Sequence, residues 1–414
     1  MALIIREIAS YSSLSLLDLI LINVFILTIQ LLLKLLKITY CGLRFILTDD
    51  LCKDYTTEEG NRLSDGPYPN GWMPVAESEQ LNIGTVLKVR VRDRDFVLVR
   101  DSNGKVHAMD PYCPHNGAHL GGGDVVKIRG EDCIRCPFHE WSFRAEDGVC
   151  VDVPYAKERK APKGSTVKIW PCVEVNNFIC IWFHSKGIGP EWFPDTLKGL
   201  KNNEKIYYSR IEYLLNCDAY LISENTSDLS HFKTIHDKPS SFGRKTARLL
   251  GLGEQLMEQT FQQLSWKPVE KPDDHKGLLE YKSYFKFLGF RIAEGHFHSI
   301  QTGPFMFTLY LQVKSMGLNF TQEMALGLTS IHANRQKFVL RMYTDRDYLS
   351  KIICRLIQLG FYSTIQGDCP IWQNMISLKN SIYLREEKSM ANHRRWYTQF
   401  LDGSEACHFK DAND

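Results

Sequence analysis

The sequence has 414 residues, of which 44% are hydrophobic, 12% aromatic and 24% charged. This balance is typical of a globular protein with a sizeable core, and it excludes a disordered or collagen-like chain. The formal net charge at pH 7 is only +2, which argues against nucleic acid as a partner, because phosphate binding usually requires a strong basic excess. Twelve scattered cysteines form no dense framework, so the pattern indicates a reduced, intracellular chain.

An apolar run over residues 14–38 is the first feature along the chain, and it is long enough to cross a bilayer although polar residues interrupt it. We predict an N-terminal transmembrane anchor over residues 1–48. The alternatives are an amphipathic helix at the membrane surface and a cleaved secretory signal, but no small-residue cleavage pair follows the run. Lys34 and Lys37 lie at the far end of this run and Arg44 follows it, so the positive-inside rule places the remainder in the cytosol, as for a single-pass protein of the endoplasmic reticulum.

Three further segments are distinguished by composition and periodicity. Residues 49–70 are polar and contain Gly, Pro and Asp, which predicts a linker. Residues 71–190 begin with short alternating runs separated by Asp- and Gly-containing turns, which predicts an all-β domain. Residues 191–405 mix β-prone runs with helical stretches at 345–366 and 379–401, so the whole chain is predicted to be of the α+β class.

Two short Cys/His pairs, Cys113-Pro-His115 and Cys136-Pro-Phe-His139, face each other across a loop. Two thiolates and two imidazoles bind either structural zinc or a Rieske [2Fe–2S] cluster, in which the Cys pair holds one iron and the His pair the other. The spacing within each pair favours the cluster, since zinc fingers usually pair Cys with Cys and His with His. Cys133, which forms a Cys-x-x-Cys motif with Cys136, leaves structural zinc as the alternative.

A second motif supplies a candidate catalytic centre. Asn225, Asp228 and His231 recur every three residues, which predicts that they share one face of a helix; Asn225 and Asp228 are candidate catalytic residues. His236 follows five residues later, about 140° round an ideal helix, so the helix must bend or end if both imidazoles are to bind one metal. An ordinary polar helix face is the alternative for this motif taken alone.

Two His and one carboxylate form the facial triad of non-haem Fe(II) oxygenases. Asp368, in the segment Gly-Asp-Cys-Pro-Ile-Trp, is the candidate carboxylate. The cluster cannot oxidise a substrate by itself, and it can supply single electrons to an iron that activates dioxygen. The presence of each motif therefore supports the interpretation of the other. Weaker candidates for the third ligand are Glu212, Glu323 and Asp345.

Together, the two motifs resemble those of the Rieske non-haem iron oxygenases over roughly residues 68–400. Within that family, the segments PYPNGW, YCPH and DCIRCPFH are similar to the membrane-anchored Neverland-type cholesterol 7-desaturases of animals, and the sequence also resembles the bacterial steroid ring hydroxylases. The resemblance implies a Rieske domain over residues 71–190 and a helix-grip (START-like) catalytic domain, binding mononuclear iron, over residues 191–405.

The resemblance also implies a homotrimer in which electrons pass from one subunit's cluster to the next subunit's iron. Asp228 would then hydrogen-bond both His231 of its own subunit and His139 of the neighbour, and Asp368 would be the third iron ligand. Glu140 departs from the family, which often has Gly at that position, and its carboxylate is expected to affect the cluster's potential or the docking of the electron donor.

The implied reaction is the C7–C8 desaturation of cholesterol to 7-dehydrocholesterol, with O2 and with electrons from NAD(P)H through a separate reductase or ferredoxin. Hydroxylation of a steroid or another hydrophobic ring by a monooxygenase is the alternative reaction. A membrane-anchored electron carrier or lipid-binding protein without the mononuclear iron is the alternative from another class.

Two aromatic stretches, residues 281–290 and 305–311, are candidates for lining an apolar substrate pocket, or equally for strand core. His296 and His298 are weaker candidates for contact with substrate.

Overall fold

The structure is a computed structural model that describes residues 50–56 and 68–402, apart from 93, 237–256, 288–289, 316, 333, 377 and 379–380. The predicted anchor, residues 1–48, lies outside the described residues. No helix among the described residues is long and apolar enough to cross a bilayer.

The segment from residue 71 to residue 183 forms the predicted all-β domain, which consists of three small antiparallel sheets in the orders β10-β5-β4-β3, β11-β12-β2 and β6-β7-β8-β9. The strands up to this point in the chain are β1 (Leu51–Asp54), β2 (Gly71–Glu77), β3 (Val86–Val91), β4 (Arg94–Arg100), β5 (Val106–Met109), β6 (Asp124–Ile128), β7 (Glu131–Arg135), β8 (Ser142–Arg144), β9 (Cys150–Asp152), β10 (Ile169–Trp170), β11 (Cys172–Val175) and β12 (Phe178–Phe183).

Turn chemistry fixes two of the tight connections in this domain. Between β4 and β5, the Asp101 carboxylate accepts the backbone N–H groups of Asn103 and Lys105, each at 2.9 Å, and Gly104 takes a positive φ of 86°. Before β6, a Cβ atom on Gly123 would lie 1.9 Å from the carbonyl oxygen of Arg135, so only glycine fits there. The glycines at 121–123 therefore form a tight turn against β7.

The remaining described residues form a large sheet with the strand order β1-β13-β19-β18-β17-β16-β15-β14. Its later strands are β13 (Ile206–Leu215), β14 (Met257–Pro268), β15 (Lys276–Phe287), β16 (Phe290–Thr302), β17 (Met306–Ser315), β18 (Leu318–His332) and β19 (Arg335–Thr344). The helices are α1 (Lys198–Lys201), α2 (Ala219–Glu224), α3 (Leu229–His231), α4 (Tyr348–Trp372) and α5 (Lys388–Tyr397). A π-helical turn follows α3 over Phe232–His236, and short 3-10 turns lie at Ser78–Gln80, Leu120–Gly122, Arg385–Glu387 and Thr398–Phe400.

The long helix α4 lies against the sheet, as the helix-grip expectation requires. The ring of Tyr213 on β13 stacks on that of Tyr362 at 5.6 Å, and its hydroxyl donates to the Tyr362 carbonyl at 2.9 Å. The predicted helix at 345–366 exists but runs on to Trp372. Pro370 is tolerated because it removes only one backbone hydrogen bond in the last turn. The extension places Asp368 on a rigid helix.

One part of the predicted linker over residues 49–70 is regular structure. Residues 51–54 form β1, which pairs in parallel with residues 211–214 of β13 at the edge of the large sheet. The segment is polar because every second side chain faces solvent, and a period of two is difficult to detect in four residues.

Candidate metal centres

Two loops of the all-β domain carry the four predicted cluster ligands. In the first loop, the Cys113 N–H donates to the Ala118 carbonyl at 2.9 Å; in the second, the Cys136 N–H donates to the Trp141 carbonyl at 2.8 Å. Gly117 in the first loop has a φ of 72° and Glu140 in the second has a φ of 59°. Each loop therefore turns back through one residue in the left-handed region.

The two thiols are buried in the all-β domain, and the two imidazoles lie towards its surface. Cys113 and Cys136 are 3% and 2% exposed and belong to one apolar cluster, whereas His115 is exposed and His139 half-buried, with their ring centres 4.7 Å apart. Burial raises the pKa of the Cys113 thiol, and the neighbouring Cys136 raises it further. The donor set fits a Rieske cluster, with the thiolates on an inner iron and the imidazoles on an outer one.

A second layer of side chains orients the histidines. The ring of His115 stacks on that of Trp141 at 4.5 Å and 9°, and the Trp141 Nε1–H donates to the Tyr155 hydroxyl at 2.8 Å. No sequence pattern indicates this contact, because Tyr155 lies in a separate loop and has no fixed spacing from the Cys and His pairs. Such outer partners fix the orientation of metal ligands.

Cys133 does not join the ligand set. Its thiol contacts the Glu131 carbonyl at 3.6 Å, and it lies outside the apolar cluster that contains Cys113 and Cys136. His119 caps a 3-10 turn, where its Nδ1 accepts the Gly121 N–H at 3.0 Å. Both residues have structural roles, which weakens the zinc alternative.

The second centre brings together the three predicted ligands of mononuclear iron. One candidate ligand atom from each of His231, His236 and Asp368 lies within 4.8 Å of the others, and all three residues are buried. The His236 Nε2 and Asp368 Oδ1 atoms are 3.2 Å apart but make no hydrogen bond within the described structure. Buried polar atoms without partners require an explanation, and a shared metal ion supplies one.

A π-helical turn brings the two histidines together although they are five residues apart. The backbone over Phe232–His236 is wound as a π-helix, which brings residues five apart onto neighbouring positions, so the His231 and His236 ring centres are 5.1 Å apart. Gly367 on α4 lies beside this turn, and a Cβ atom there would be in ordinary van der Waals contact with the Ile235 side chain, at 3.4 Å. The prediction that the helix must bend or end is confirmed.

The prediction that Asn225, Asp228 and His231 share one helix face is wrong. Helix α2 ends at Glu224, and Asp228 is the N-cap of α3, where its carboxylate accepts the N–H groups of Ser230 at 3.0 Å and His231 at 3.2 Å. The three-residue spacing comes from capping chemistry, which resembles helical periodicity over so short a distance.

His231 is nevertheless held by both predicted neighbours. Its Nδ1 contacts the backbone carbonyl of Asp228, while the carboxylate is 4.0 Å from the same atom. The Asn225 Nδ2 lies 3.2 Å from the His231 Nε2. Burial lowers the pKa of His231, against an opposing effect of Asp368, so the neutral imidazole is favoured for metal binding. The contact between Asp228 and a neighbouring subunit's His139 stays a prediction.

The weaker carboxylate candidates form ion pairs or hydrogen bonds with residues outside the metal triad. Glu212 lies 3.2 Å from Arg210 and 3.3 Å from Lys337, and Asp345 lies 3.0 Å from Lys205. Glu323 accepts the Gly199 N–H at 2.9 Å. Asp368 is the candidate that joins the two histidines.

A cavity lies over the metal triad, between the large sheet and α4. Tyr281, Phe307 and Leu309 line it, so the aromatic stretches form its wall in part. His296 and His298 lie outside this lining: His296 bonds Glu294 at 3.0 Å and His298 stacks on Tyr310 at 4.6 Å. The remaining wall is apolar apart from a few hydroxyl groups; sequence reasoning missed Ile222, Leu279, Phe297, Ser299, Leu326, Phe338, Leu340, Phe361, Thr364 and Trp372.

Comparisons with known proteins agree with both centres. Residues 71–173 match the family described as Rieske [2Fe-2S] domain, and residues 181–401 match the 3-Ketosteroid 9alpha-hydroxylase C-terminal domain. The chain is 30% identical to the cholesterol 7-desaturase nvd of Drosophila melanogaster, over 84% of this chain and 78% of that protein. It is 29% identical to the oxygenase component of the 3-ketosteroid-9-alpha-monooxygenase of Rhodococcus rhodochrous, over 41% of this chain and 44% of that protein.

A similar fold occurs in the NdmA QL mutant of Pseudomonas putida CBB5 with caffeine, with a TM-score of 0.57, 16% identity and coverage of 83% of this chain and 95% of that one. At this identity the likeness shows the fold alone. The family matches cover both halves of the chain, and the insect relative covers most of it. The chain therefore belongs to the Rieske non-haem iron oxygenases and is an oxidoreductase that depends on a [2Fe–2S] cluster, a mononuclear iron and dioxygen.

Proposed function

We propose that the protein removes the hydrogens at C7 and C8 of cholesterol and so forms 7-dehydrocholesterol. One sterol, one O2, two electrons and two protons give one conjugated diene and two waters. The Drosophila relative, at 30% identity over 84% of this chain, carries the name of this activity.

The observation that carries the proposal is the apolar cavity over the metal triad. It is lined by the three candidate metal ligands and otherwise almost entirely by apolar side chains. The walls are hydrocarbon and aromatic, contributed mainly by β15 to β19 and α4. Such a site suits a large uncharged hydrocarbon, because desolvation of the ligand supplies most of the binding free energy.

The cluster supplies single electrons and the iron activates dioxygen when each is bound. This chain's residues hold and shield that chemistry. His231 contacts the Asp228 carbonyl through Nδ1, and its Nε2 lies 3.2 Å from the Asn225 amide nitrogen, so this segment orients the imidazole within the triad. Phe232 and Trp372 line the cavity and exclude water from the substrate carbons.

Electrons must come from another protein. The sequence has no flavin or nicotinamide fingerprint and no plant-type ferredoxin spacing. We infer that an NAD(P)H-dependent reductase, directly or through a ferredoxin, reduces the cluster at the exposed His115 side of the domain.

The function is tested by incubating the purified protein with cholesterol, dioxygen, NAD(P)H and a reductase. We expect a product lighter by two hydrogens, with the ultraviolet absorption of a conjugated diene. His231→Ala should keep the visible spectrum of the cluster and lose both the third iron and turnover. An oxygenated sterol as sole product would contradict desaturation and favour hydroxylation, which the match of residues 181–401 to a steroid hydroxylase domain makes the second candidate.

We further propose that residues 14–38 anchor the protein in the endoplasmic reticulum membrane with the catalytic part in the cytosol. The exposed side chains Ile371, Ile376 and Ile382, at 42%, 51% and 97% exposure, lie within ten residues of the cavity residue Trp372 in sequence and give this part of the surface an apolar character. Carbonate extraction of membranes tests the anchor: the full chain should stay in the pellet, and a chain lacking residues 1–48 should be extracted.

The chain is also proposed to assemble as a homotrimer in which clusters and irons of neighbouring subunits meet. Three aromatic side chains near the cluster ligands, Tyr112, Phe138 and Tyr155, are 54%, 59% and 63% exposed. Exposed aromatic groups around a redox centre are typical of a protein–protein contact surface.

A further inference from the structure

One hydroxyl group interrupts an otherwise apolar line across the cavity wall. Residues directly opposite one another on β15 to β19 form a single row across the sheet: Leu279, Ser299, Leu309, Met324 and Met342. The first three line the cavity. Ser299 is therefore the polar member of a row in which a valine or leucine would pack equally well.

Ser299 is 3% exposed, and its side chain borders the cavity. Leaving a buried hydroxyl without a partner costs about 1–3 kcal/mol. The group faces the cavity rather than the interior of the sheet, so a bound molecule can supply a hydrogen bond.

Tyr281 provides a second hydroxyl on the same wall. It lies directly opposite Phe297, two residues from Ser299 on β16, so the two side chains are diagonal neighbours on one face. Its ring is held by Phe232 at 5.3 Å, Phe261 at 5.4 Å and Phe297 at 4.6 Å. Burial raises the pKa of Tyr281, and the residue lines the cavity beside Ser299.

The other polar groups of the cavity outside the metal triad are engaged. Thr226 donates to the Ser223 carbonyl at 2.8 Å, and Thr364 donates to the Gly360 carbonyl at 2.9 Å. The Asn225 amide contacts His231. Ser299 and Tyr281 thus differ from the other polar residues that line the cavity outside the metal triad.

We propose that Ser299, assisted by Tyr281, binds an oxygen substituent of the substrate, either a hydroxyl or a ketone on a large hydrocarbon ring system. The inference rests on the proposed function, since it names the part of the substrate that this cavity recognises. A hydroxyl that can both donate and accept serves either oxygen group. Binding a hydrocarbon that lacks the oxygen leaves both protein hydroxyls unpaired, which is the physical basis of discrimination.

The position of this subsite on the wall links it to the metal centre. Gln301, two residues along β16 on the same face, donates to the Ser223 hydroxyl at 2.5 Å. Ser223 lies in α2, immediately before the segment that leads to His231. Because Ser299 and the triad line the same cavity, an oxygen held at Ser299 limits which carbons of the adjoining rings reach the triad.

The test measures binding without turnover. The holoprotein, oxidised and without reductase, is titrated with cholesterol and with cholestane, which has the same skeleton but no hydroxyl, by displacement of a fluorescent sterol. We expect Ser299→Ala to weaken cholesterol binding about fivefold and to leave cholestane binding unchanged. Tyr281→Phe is expected to act in the same direction with a smaller effect.

A matched control is available on the neighbouring strand. Ser283 on β15 is 1% exposed and its hydroxyl has no partner in the described structure, but it does not line the cavity. Ser283→Ala should change neither affinity. Ser299→Ala should unfold at the same temperature as the unsubstituted protein or higher, because it removes a buried hydroxyl.

The inference is overturned if Ser299→Ala weakens the binding of cholesterol and cholestane equally. It is also overturned if neither Ser299→Ala nor Tyr281→Phe changes the binding of cholesterol. A protein that binds neither cholesterol nor cholestane but prefers a 3-ketosteroid over the matching steroid hydrocarbon counts against cholesterol as substrate. If Ser299→Ala abolishes that preference, the subsite is supported even though the proposed function fails; if the preference persists, both fail.

Discussion

Glu140 combines an unusual backbone with a charge beside the cluster. Its φ of 59° lies in the left-handed region, where glycine is the least strained residue, which explains in physical terms why a glycine suits this position. The Glu140 N–H still closes the loop by donating to the Cys136 carbonyl at 3.1 Å. The side chain is exposed and directly follows the ligand His139.

Glu140→Gln removes that charge and keeps the shape of the side chain. A unit charge at about 10 Å in a water-like medium contributes about 0.4 kcal/mol, so we expect the cluster's reduction potential to rise by on the order of 20 mV. A spectroscopic redox titration measures the change. Glu146→Gln, at an exposed glutamate of the same domain that does not adjoin a ligand, should leave the potential unchanged; an equal shift in both variants would count against a local effect.

Asp152 makes the support of the cluster ligands sensitive to acid. Its buried carboxylate accepts from the Arg159 Nε at 2.7 Å and Nη2 at 2.5 Å, and this pairing fixes the loop that carries Tyr155. The hydrogen bond from Arg159 lowers the pKa of Asp152. A lowered folded-state pKa means that the ionised carboxylate stabilises the fold above its unfolded pKa of about 3.9 and loses this effect as the pH falls through the folded value.

We therefore expect Asp152→Asn to lower the unfolding temperature at pH 7 and the difference from the unsubstituted protein to shrink below about pH 4. Calorimetry across this pH range measures both effects, with Asp147→Asn at the exposed Arg144 pair as control. A difference that stays constant from pH 7 to pH 3 would show that ionisation of Asp152 is not the cause.

Spacing identifies candidate ligands for both centres but not the contacts that hold them. The pairs of Cys and His, the two histidines and Asp368 are sequence-local signals or lie in a distinctive segment, and the structure brings the triad together. The prediction that Asn225 and Asp228 share a helix face was wrong. An N-cap side chain and a helical repeat both favour polar residues at short intervals, so the two patterns are easily confused. Outer contacts such as Trp141 to Tyr155 join distant segments and leave no trace in spacing.

At the scale of elements, the π-helical turn and the length of α4 decide whether the triad forms. The sequence predicted that a regular helix could not bring His231 and His236 together, but not which distortion would do so. The end of α4 was placed too early because Gly367 and Pro370 are poor helix formers, and tertiary packing overrides that local preference. At both places the site requires a backbone geometry that local sequence preferences do not favour.

Strand β1 yields a prediction about stability. It completes the edge of the large sheet beside β13, and Tyr55, which follows it, is 2% exposed with its ring 6.0 Å from that of Tyr213. A chain starting at residue 57 should therefore be less stable than one starting at residue 50 by at least about 2 kcal/mol, since burial of one large side chain contributes that much.

Urea denaturation of the two chains measures the difference, and Tyr55→Ala in the longer chain separates the ring from the strand pairing. Equal midpoints for both chains would mean that β1 adds nothing to the sheet.

At the scale of the whole molecule, the two metal centres occupy separate parts of one chain. The cluster ligands belong to the small sheets, and the triad lies between the large sheet and α4. The Asp228 carboxylate is 28% exposed, and aromatic groups near the cluster ligands face outward. An arrangement in which one copy's cluster docks beside another copy's iron would cover both surfaces, and it makes each active site depend on two chains.

Complementation tests this dependence directly. Cys113→Ser removes a cluster ligand and His231→Ala removes an iron ligand, so each homomeric variant should be inactive. Co-produced with different tags and purified through both, the mixed assembly contains interfaces that pair an intact cluster with an intact iron. If electrons cross between subunits, we expect roughly a third of the unsubstituted activity, because in each mixed trimer one of the three interfaces pairs an intact cluster with an intact iron. Variants purified separately and then mixed serve as the control, since they can pair only by exchanging subunits. A mixed assembly as inactive as either parent, with each remaining metal present in full, would show that electrons stay within one chain.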